Sequence, residues 1–197
     1  MTEINDFSEE IYEKLEDILG INPNARNYWK IADSIPAKNM YLVHYYDEKT
    51  REINDDESLD SEDKRILLSL RGVIVDIESS WICCKSFGST ETTIIDEIDP
   101  KELSYKDLYG NENSVKTKKI KFQSFYSGPV LRLWKYNNIT YMSTHKKISA
   151  VNTKWGSNRT FQEIFIDYFG RNVTSVEDIG NILFSKDKAT SNFCHAF

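Results

Sequence analysis

The chain has 197 residues, 40% of them hydrophobic and 13% aromatic, with only 8 Gly and 4 Pro. That composition excludes a disordered or low-complexity chain and suits one domain with a real hydrophobic core. The formal net charge of −6 argues against a polyanion partner, but the charge is unevenly spread. Residues 113–162 carry ten basic side chains and no Asp or Glu, so that segment is +10 and the remainder −16. Asymmetry of this sign makes a local field that the average hides. Its functional reading is a platform for a phosphate-bearing ligand; its plainer reading is a solvated face neutralised by acids that folding brings near.

Three cysteines, Cys83, Cys84 and Cys194, show no metal-ligand spacing, and their odd number fits a reducing intracellular, cytoplasmic setting. The acidic stretch Met1 to Glu10 lacks the apolar core of a signal peptide, and no apolar run approaches the roughly 20 residues a membrane span needs. Three sequons, at Asn138, Asn158 and Asn172, then read as chance matches in an Asn-rich chain.

In chain order, Phe7, Ile11, Leu15, Ile18 and Leu19 recur at helical spacing before the stop signal Gly20. Tyr41 to Tyr46 reads as a first strand. The acidic stretch Asp47 to Lys64 lacks periodic apolar positions and is expected to be an exposed connection. Leu70 to Ile77 and Trp81 to Phe87 form a hairpin around Glu78-Ser79-Ser80. Thr92 to Glu112 reads as a loop with a short helix at Pro100 to Leu108, and Val115 to Phe122 as a strand with a wet, basic face.

A second hairpin joins Val130–Tyr136 to Ile139–Thr144 through Asn137-Asn138, a pair that accepts the positive φ of a two-residue turn. Helices follow at Phe161 to Phe169, ended by Gly170, and at Val176 to Phe184, capped by Ser175. Asn192 to Phe197 is strand-like. The expected division is one domain over 1–197: a helical N-terminal extension (1–36), a sheet core (37–158), then helices and a final strand (159–197).

Neither a GxxxxGKS nor a GxGxxG loop is present, and His44, His145 and His195 are far apart in sequence. No metal site is expected from His and Cys. The chemistry-bearing group is Thr144-His145-Lys146-Lys147 at a strand end, beside Gly128-Pro129, with Arg132 and Lys135 on the neighbouring strand. Basic groups at strand ends beside a Gly bend offer charge-assisted hydrogen bonds to phosphate. Trp134, Tyr136, Tyr141 and Trp155 could stack on bases, although aromatic residues in strands more often fill a core.

Arg71-Gly72-Val73-Ile74-Val75-Asp76, Lys85-Ser86-Phe87, Ser127-Gly128-Pro129-Val130-Leu131-Arg132-Leu133 and Tyr141 to Ile148 together resemble the nucleotidyltransferase domain of phage-type RNA ligases. The resemblance covers Ile66 to Ile148. Ser143 to Ala150 with Lys154-Trp155-Gly156-Ser157 also looks like ligase-like proteins of large DNA viruses. The resemblance implies an α+β fold with an antiparallel, ATP-grasp-like nucleotidyltransferase core and flanking helices, C-terminally incomplete because the family's later motifs would lie beyond Phe197.

It further implies ATP and Mg²⁺ as cofactors, a nucleotide or RNA as partner, and Arg71, Lys85, Gly128, Arg132, His145, Lys146 and Lys147 as phosphate contacts. Where the family carries its nucleophilic lysine this chain has Phe125, and the motif acid is replaced by Ser127. Ser89 and His145 stand where the family has lysines. Phe125 cannot be adenylylated. The alternatives are an active RNA ligase using a non-standard lysine, Lys121 being the candidate, and a non-catalytic protein-interaction module.

Overall fold

The computed structural model describes residues 7–85, 130–154, 156–170 and 173–184, with the backbone of 194–196. The chain divides into two compact units, residues 1–89 with 129–197, and residues 90–128; the second lies wholly outside the described residues. So do the expected strand at 115–122 and helix at 100–108, and with them Lys121, Phe125, Gly128 and Trp155.

The first unit is α+β, with two antiparallel sheets. The larger is a four-stranded meander in chain order, β1 (Trp29–Ile35), β2 (Met40–Tyr45), β3 (Arg71–Asp76) and β4 (Trp81–Cys84). The smaller places β5 (Arg132–Tyr136) between β6 (Ile139–Ser143) and β7 (Cys194–Ala196). Both expected hairpins form. Asn137 and Asn138 take φ of 48° and 60°, the left-handed pair of a two-residue turn that matches strand twist. The β3–β4 turn is held by Asp76, whose Oδ1 accepts from the amides of Glu78 and Ser79.

Alternation along the strands divides the apolar residues between three clusters. Tyr41, Val43, Tyr45, Val73 and Val75 face a helical layer built by α1 (Glu9–Leu19), α2 (Thr50–Asp55) and α3 (Ser61–Ser69), which adds Leu15, Ile53 and Leu67. Met40, Leu42, Ile74 and Cys84, on the opposite face, pack against Trp134 and Tyr141 of the second sheet and Ile148 of the loop after it. Leu133 and Met142 face α4 (Phe161–Phe169) and α5 (Val176–Phe184).

Two expectations for the first third of the chain are corrected. The stretch from Asp47 to Lys64 is not an open connection: α2 and the start of α3 lie within it, and Ile53 and Leu59 are buried. Single apolar anchors are enough where Asp60 caps α3, its side chain accepting from the amides of Glu62 and Asp63. Residues 1–36, expected to be helical, include β1. Its alternation is masked by an irregularity: Ile31 pairs with Val43 and Asp33 with Leu42, leaving Ala32 as an extra residue.

The helices after the hairpin form as expected. Thr160 and Glu163 make a reciprocal capping box at the start of α4. Ser175 Oγ accepts from the Asp178 amide at the start of α5. Among the described residues no helix is long and apolar enough to cross a membrane.

Candidate anion site at the sheet end

Two β-bulges position the site. On β3, Val73 pairs with Val43 but the next pair is Arg71 with His44, so Gly72 is inserted with φ of +77°. A bulge of this kind shifts the facing of the residues beyond it. It returns Arg71 to the side of His44, toward the second sheet, instead of leaving it with Val73 and Val75 on the helical face. The Ala32 bulge on β1 does the same for Asp33. The Asp33 carboxylate accepts from the Ile148 amide at 2.8 Å and meets Lys147 Nζ at 3.4 Å.

Both bulges therefore aim polar side chains at one loop, residues 144–148 after β6. The loop closes on itself through the Thr144 amide and the Lys147 carbonyl, at 2.9 Å. Its His145 backbone rests directly on Gly72. Arg132 fixes this junction from within. Its guanidinium is 1% exposed and donates to the Gly72 carbonyl at 2.5 Å and to the Thr144 carbonyl.

Across the end of the larger sheet, Lys30 pairs with His44 and His44 with Arg71. Three basic residues from three strands thus form one in-register row, about 10 Å from first to last at the usual strand spacing. The two cations, Lys30 and Arg71, flank the His44 imidazole from either side. His145 covers the row, its ring centroid 5.5 Å from that of His44. Lys146 lies beside it and pairs with Asp47 at 3.0 Å. Among the described residues Lys30 and Arg71 have no carboxylate partner. Lys30 Nζ sits 4.6 Å over the Tyr46 ring.

The electrostatics follow from this crowding. Burial, then the neighbouring His44, Lys146 and Arg71, push His145 down to about 4 against the pull of Asp47. Burial also lowers His44, partly offset by the Tyr45 carbonyl and Asp47. Burial alone raises the Asp47 carboxyl, but the bond to Lys146 and the field of His44 hold it below its ordinary value. The site therefore carries imidazoles whose charged form is disfavoured, among cationic side chains.

Of the residues expected to contact phosphate, the structure brings together Arg71, His145 and Lys146. Lys147 is adjacent but turned to Asp33. Lys85 is exposed and follows Cys84, which pairs with Ile74, so its backbone lies roughly 8 Å from that of Arg71, on the next strand. Lys85 borders a cavity of about 490 Å³ beside Trp81 and Cys83. Arg132 is buried and braces the junction through the Gly72 and Thr144 carbonyls. Gly128 lies outside the described residues, as does Lys121.

Trp134 and Tyr141, considered as base stackers, stack on each other at 4.3 Å and fill the core between the sheets. Of the six basic residues of 113–162 that are described, Lys146, Lys147 and Arg159 pair with acids from outside the segment, Asp47, Asp33 and Asp167. The plainer reading of the charge excess accounts for those three. Lys30, His44, Asp33 and Asp47 are site residues that lie outside the basic segment. Among the described residues no group of three His, Cys, Asp or Glu could hold a metal ion.

Comparison of the chain with family models, with curated proteins and with solved structures gives no match.

Proposed function

We propose that this chain is an RNA-ligase-like protein of nucleotidyltransferase fold that binds a nucleotide or RNA and does not form a lysyl adenylate, because Phe125 occupies the nucleophile position. The observation that carries the reading is the row Lys30–His44–Arg71, covered by His145 and Lys146. Two of its members, Lys30 and Arg71, lack a carboxylate partner among the described residues and stand in register on the strands that flank His44. Oxygen atoms of phosphate accept charge-assisted hydrogen bonds from Arg and Lys, and the two cations stand close enough to share one phosphate-bearing ligand.

Arg71 presents a planar fork suited to two phosphate oxygens, and Lys30 and Lys146 act as point charges on either side. If ATP is the ligand, its Mg²⁺ would be carried on the phosphates, since no described cluster of this chain supplies a cage. The experiment is incubation with α-labelled ATP and Mg²⁺, followed by denaturation, alongside an equilibrium binding assay with ATP and RNA at low salt. Binding without a covalent label is the expected result. A covalent label that disappears in Lys121→Ala establishes active nucleotidyl transfer instead. Binding of neither ligand removes the reading.

The protein-interaction alternative draws on the exposed apolar residues Ile164 and Tyr168 of α4 and Ile182 of α5. Self-association or partner capture abolished by Tyr168→Lys, with no nucleotide or RNA binding, favours it.

A further inference from the structure

Resting on that reading of the site, we infer that the His44–His145 pair is a working part of the anion site, one that takes up a proton when a phosphate group binds and so makes binding tighter as pH falls. The argument begins with geometry. His44 is fully buried. Its Nδ1 lies 2.5 Å from the Tyr45 carbonyl oxygen, which can only accept, so this nitrogen carries the hydrogen. Nε2 is then a lone-pair acceptor, buried, with no hydrogen-bond partner among the described residues. A buried polar atom without a partner is uncommon and costs free energy. Here it lies in a ring adjacent to the half-buried ring of His145.

Every element packed around the pair contributes a charged or titratable group. Lys30 comes from β1, Tyr45 from the end of β2, and Arg71 from β3. Asp47 comes from the turn after β2, and Lys146 from the same loop as His145. Burial first, then three cations against one carboxylate that is itself engaged by Lys146, disfavour the charged form of both imidazoles. A phosphate group entering between Arg71 and Lys146 reverses that balance, because its negative charge favours the imidazolium and supplies an acceptor for the new N–H.

The step balances without a further reactant. One proton passes from solvent or buffer to an imidazole nitrogen of His145, and no bond is made or broken on the phosphate. By linkage, if the bound site holds one proton more than the free site, affinity rises by up to tenfold for each pH unit lowered. The rise spans the interval between the protonation midpoints of the free and bound states.

The test uses a probe that does not itself titrate. A fluorescein-labelled oligouridylate with a 5′-hydroxyl end has phosphodiesters whose charge is constant between about pH 5 and pH 8, where an unperturbed imidazole changes state. The labelled dye is read by anisotropy, which is corrected for the dye's own pH response. Calorimetry of the unlabelled oligomer, in two buffers of different ionisation heat, counts the protons taken up.

The expected result is at least a tenfold gain in affinity from pH 7.5 to pH 5.5, with close to one proton taken up near pH 6. In His145→Gln the gain from pH 7.5 to pH 5.5 falls to under threefold. Should His44→Gln fail to fold, proton resonances of the two imidazoles in the parent protein, followed with and without oligomer, report the same protonation directly. Binding that is independent of pH overturns this inference alone. So does a pH dependence that survives in His145→Gln. No binding at any pH removes the anion-site reading, and the inference with it.

Discussion

Gly72 and His145 are in backbone contact so close that a β-carbon on Gly72 would stand 2.5 Å from the His145 carbonyl oxygen and 2.6 Å from its Cα. The glycine also has φ of +77°, where an L side chain is strained. Both facts tie the β3 bulge to the loop that carries His145 and Lys146. Gly72→Ala is therefore expected to cost on the order of 2–4 kcal/mol of stability and to weaken oligonucleotide binding by displacing the loop. Gly156→Ala is the control, since that glycine shares a positive φ of 65° but has nothing among the described residues within 4 Å of the added carbon; about 1 kcal/mol is expected there. Urea denaturation of both variants decides it, and equal costs at the two positions contradict the close contact.

Arg132 is expected to act on stability first. Arg132→Met keeps the apolar stem but leaves the Gly72 and Thr144 carbonyls without their charged donor, for a loss of about 3 kcal/mol. If Arg132→Met instead unfolds like the parent and merely loses ligand, the guanidinium is a contact and the brace is wrong.

At the opposite end of β3, the Tyr136 hydroxyl donates to Asp76 Oδ2 at 2.6 Å and lies 3.0 Å from Ser79 Oγ, joining the second sheet to the β3–β4 turn. Tyr136→Phe is expected to cost about 1–2 kcal/mol. Burial raises the Asp76 carboxyl, yet the Tyr136 hydroxyl and the turn amides outweigh it and hold the group below its ordinary value. A carboxyl depressed on folding contributes stability above its unfolded midpoint and loses it as pH falls through the folded one. The acid limb of the unfolding profile is thus expected to be shallower in Tyr136→Phe than in the parent; an unchanged limb contradicts the linkage.

Without ligand, His145 makes a separate contribution to the pH profile. Its folded-state value near 4 lies below the ordinary 6.5, so between those values the unfolded chain binds the extra proton. Unfolding free energy is then expected to fall as pH drops from about 6.5 toward 4. Thermal unfolding of His145→Gln, lacking the imidazole, should show a weaker decline over that window. A decline of the same size in both proteins locates the titration elsewhere.

Much of the fold was legible because periodicity survives folding: α1, β2 and both hairpins lie where their apolar spacing puts them, and so do α4 and α5. The stretches that were misread share a physical cause. β1 carries the Ala32 bulge, which breaks the two-residue alternation at Asp33, and α2 is only six residues long with one buried anchor, Ile53. The site was legible in part. Arg71, His145 and Lys146 were found through charge and resemblance.

His44 and Lys30 were not, since their partnership exists only in the register of three strands, which no local pattern states. The bulge that turns Arg71 inward was foreshadowed by a glycine inside a strand pattern, a signal that points to a bulge or close backbone approach. The buried position of Arg132 is not legible in the sequence, because a strand-borne arginine gives no hint of which face it takes.

The most direct measurement of the central claim is the salt dependence of oligouridylate binding to the parent protein and to the Lys30→Ala/Arg71→Ala double variant. Two phosphate-contacting cations predict tight binding at low salt in the parent and a log–log slope shallower by about 1.4 in the variant, at roughly 0.7 per phosphate for a single strand. Equal slopes and equal affinities in the two proteins contradict an anion site at the Lys30–His44–Arg71 row.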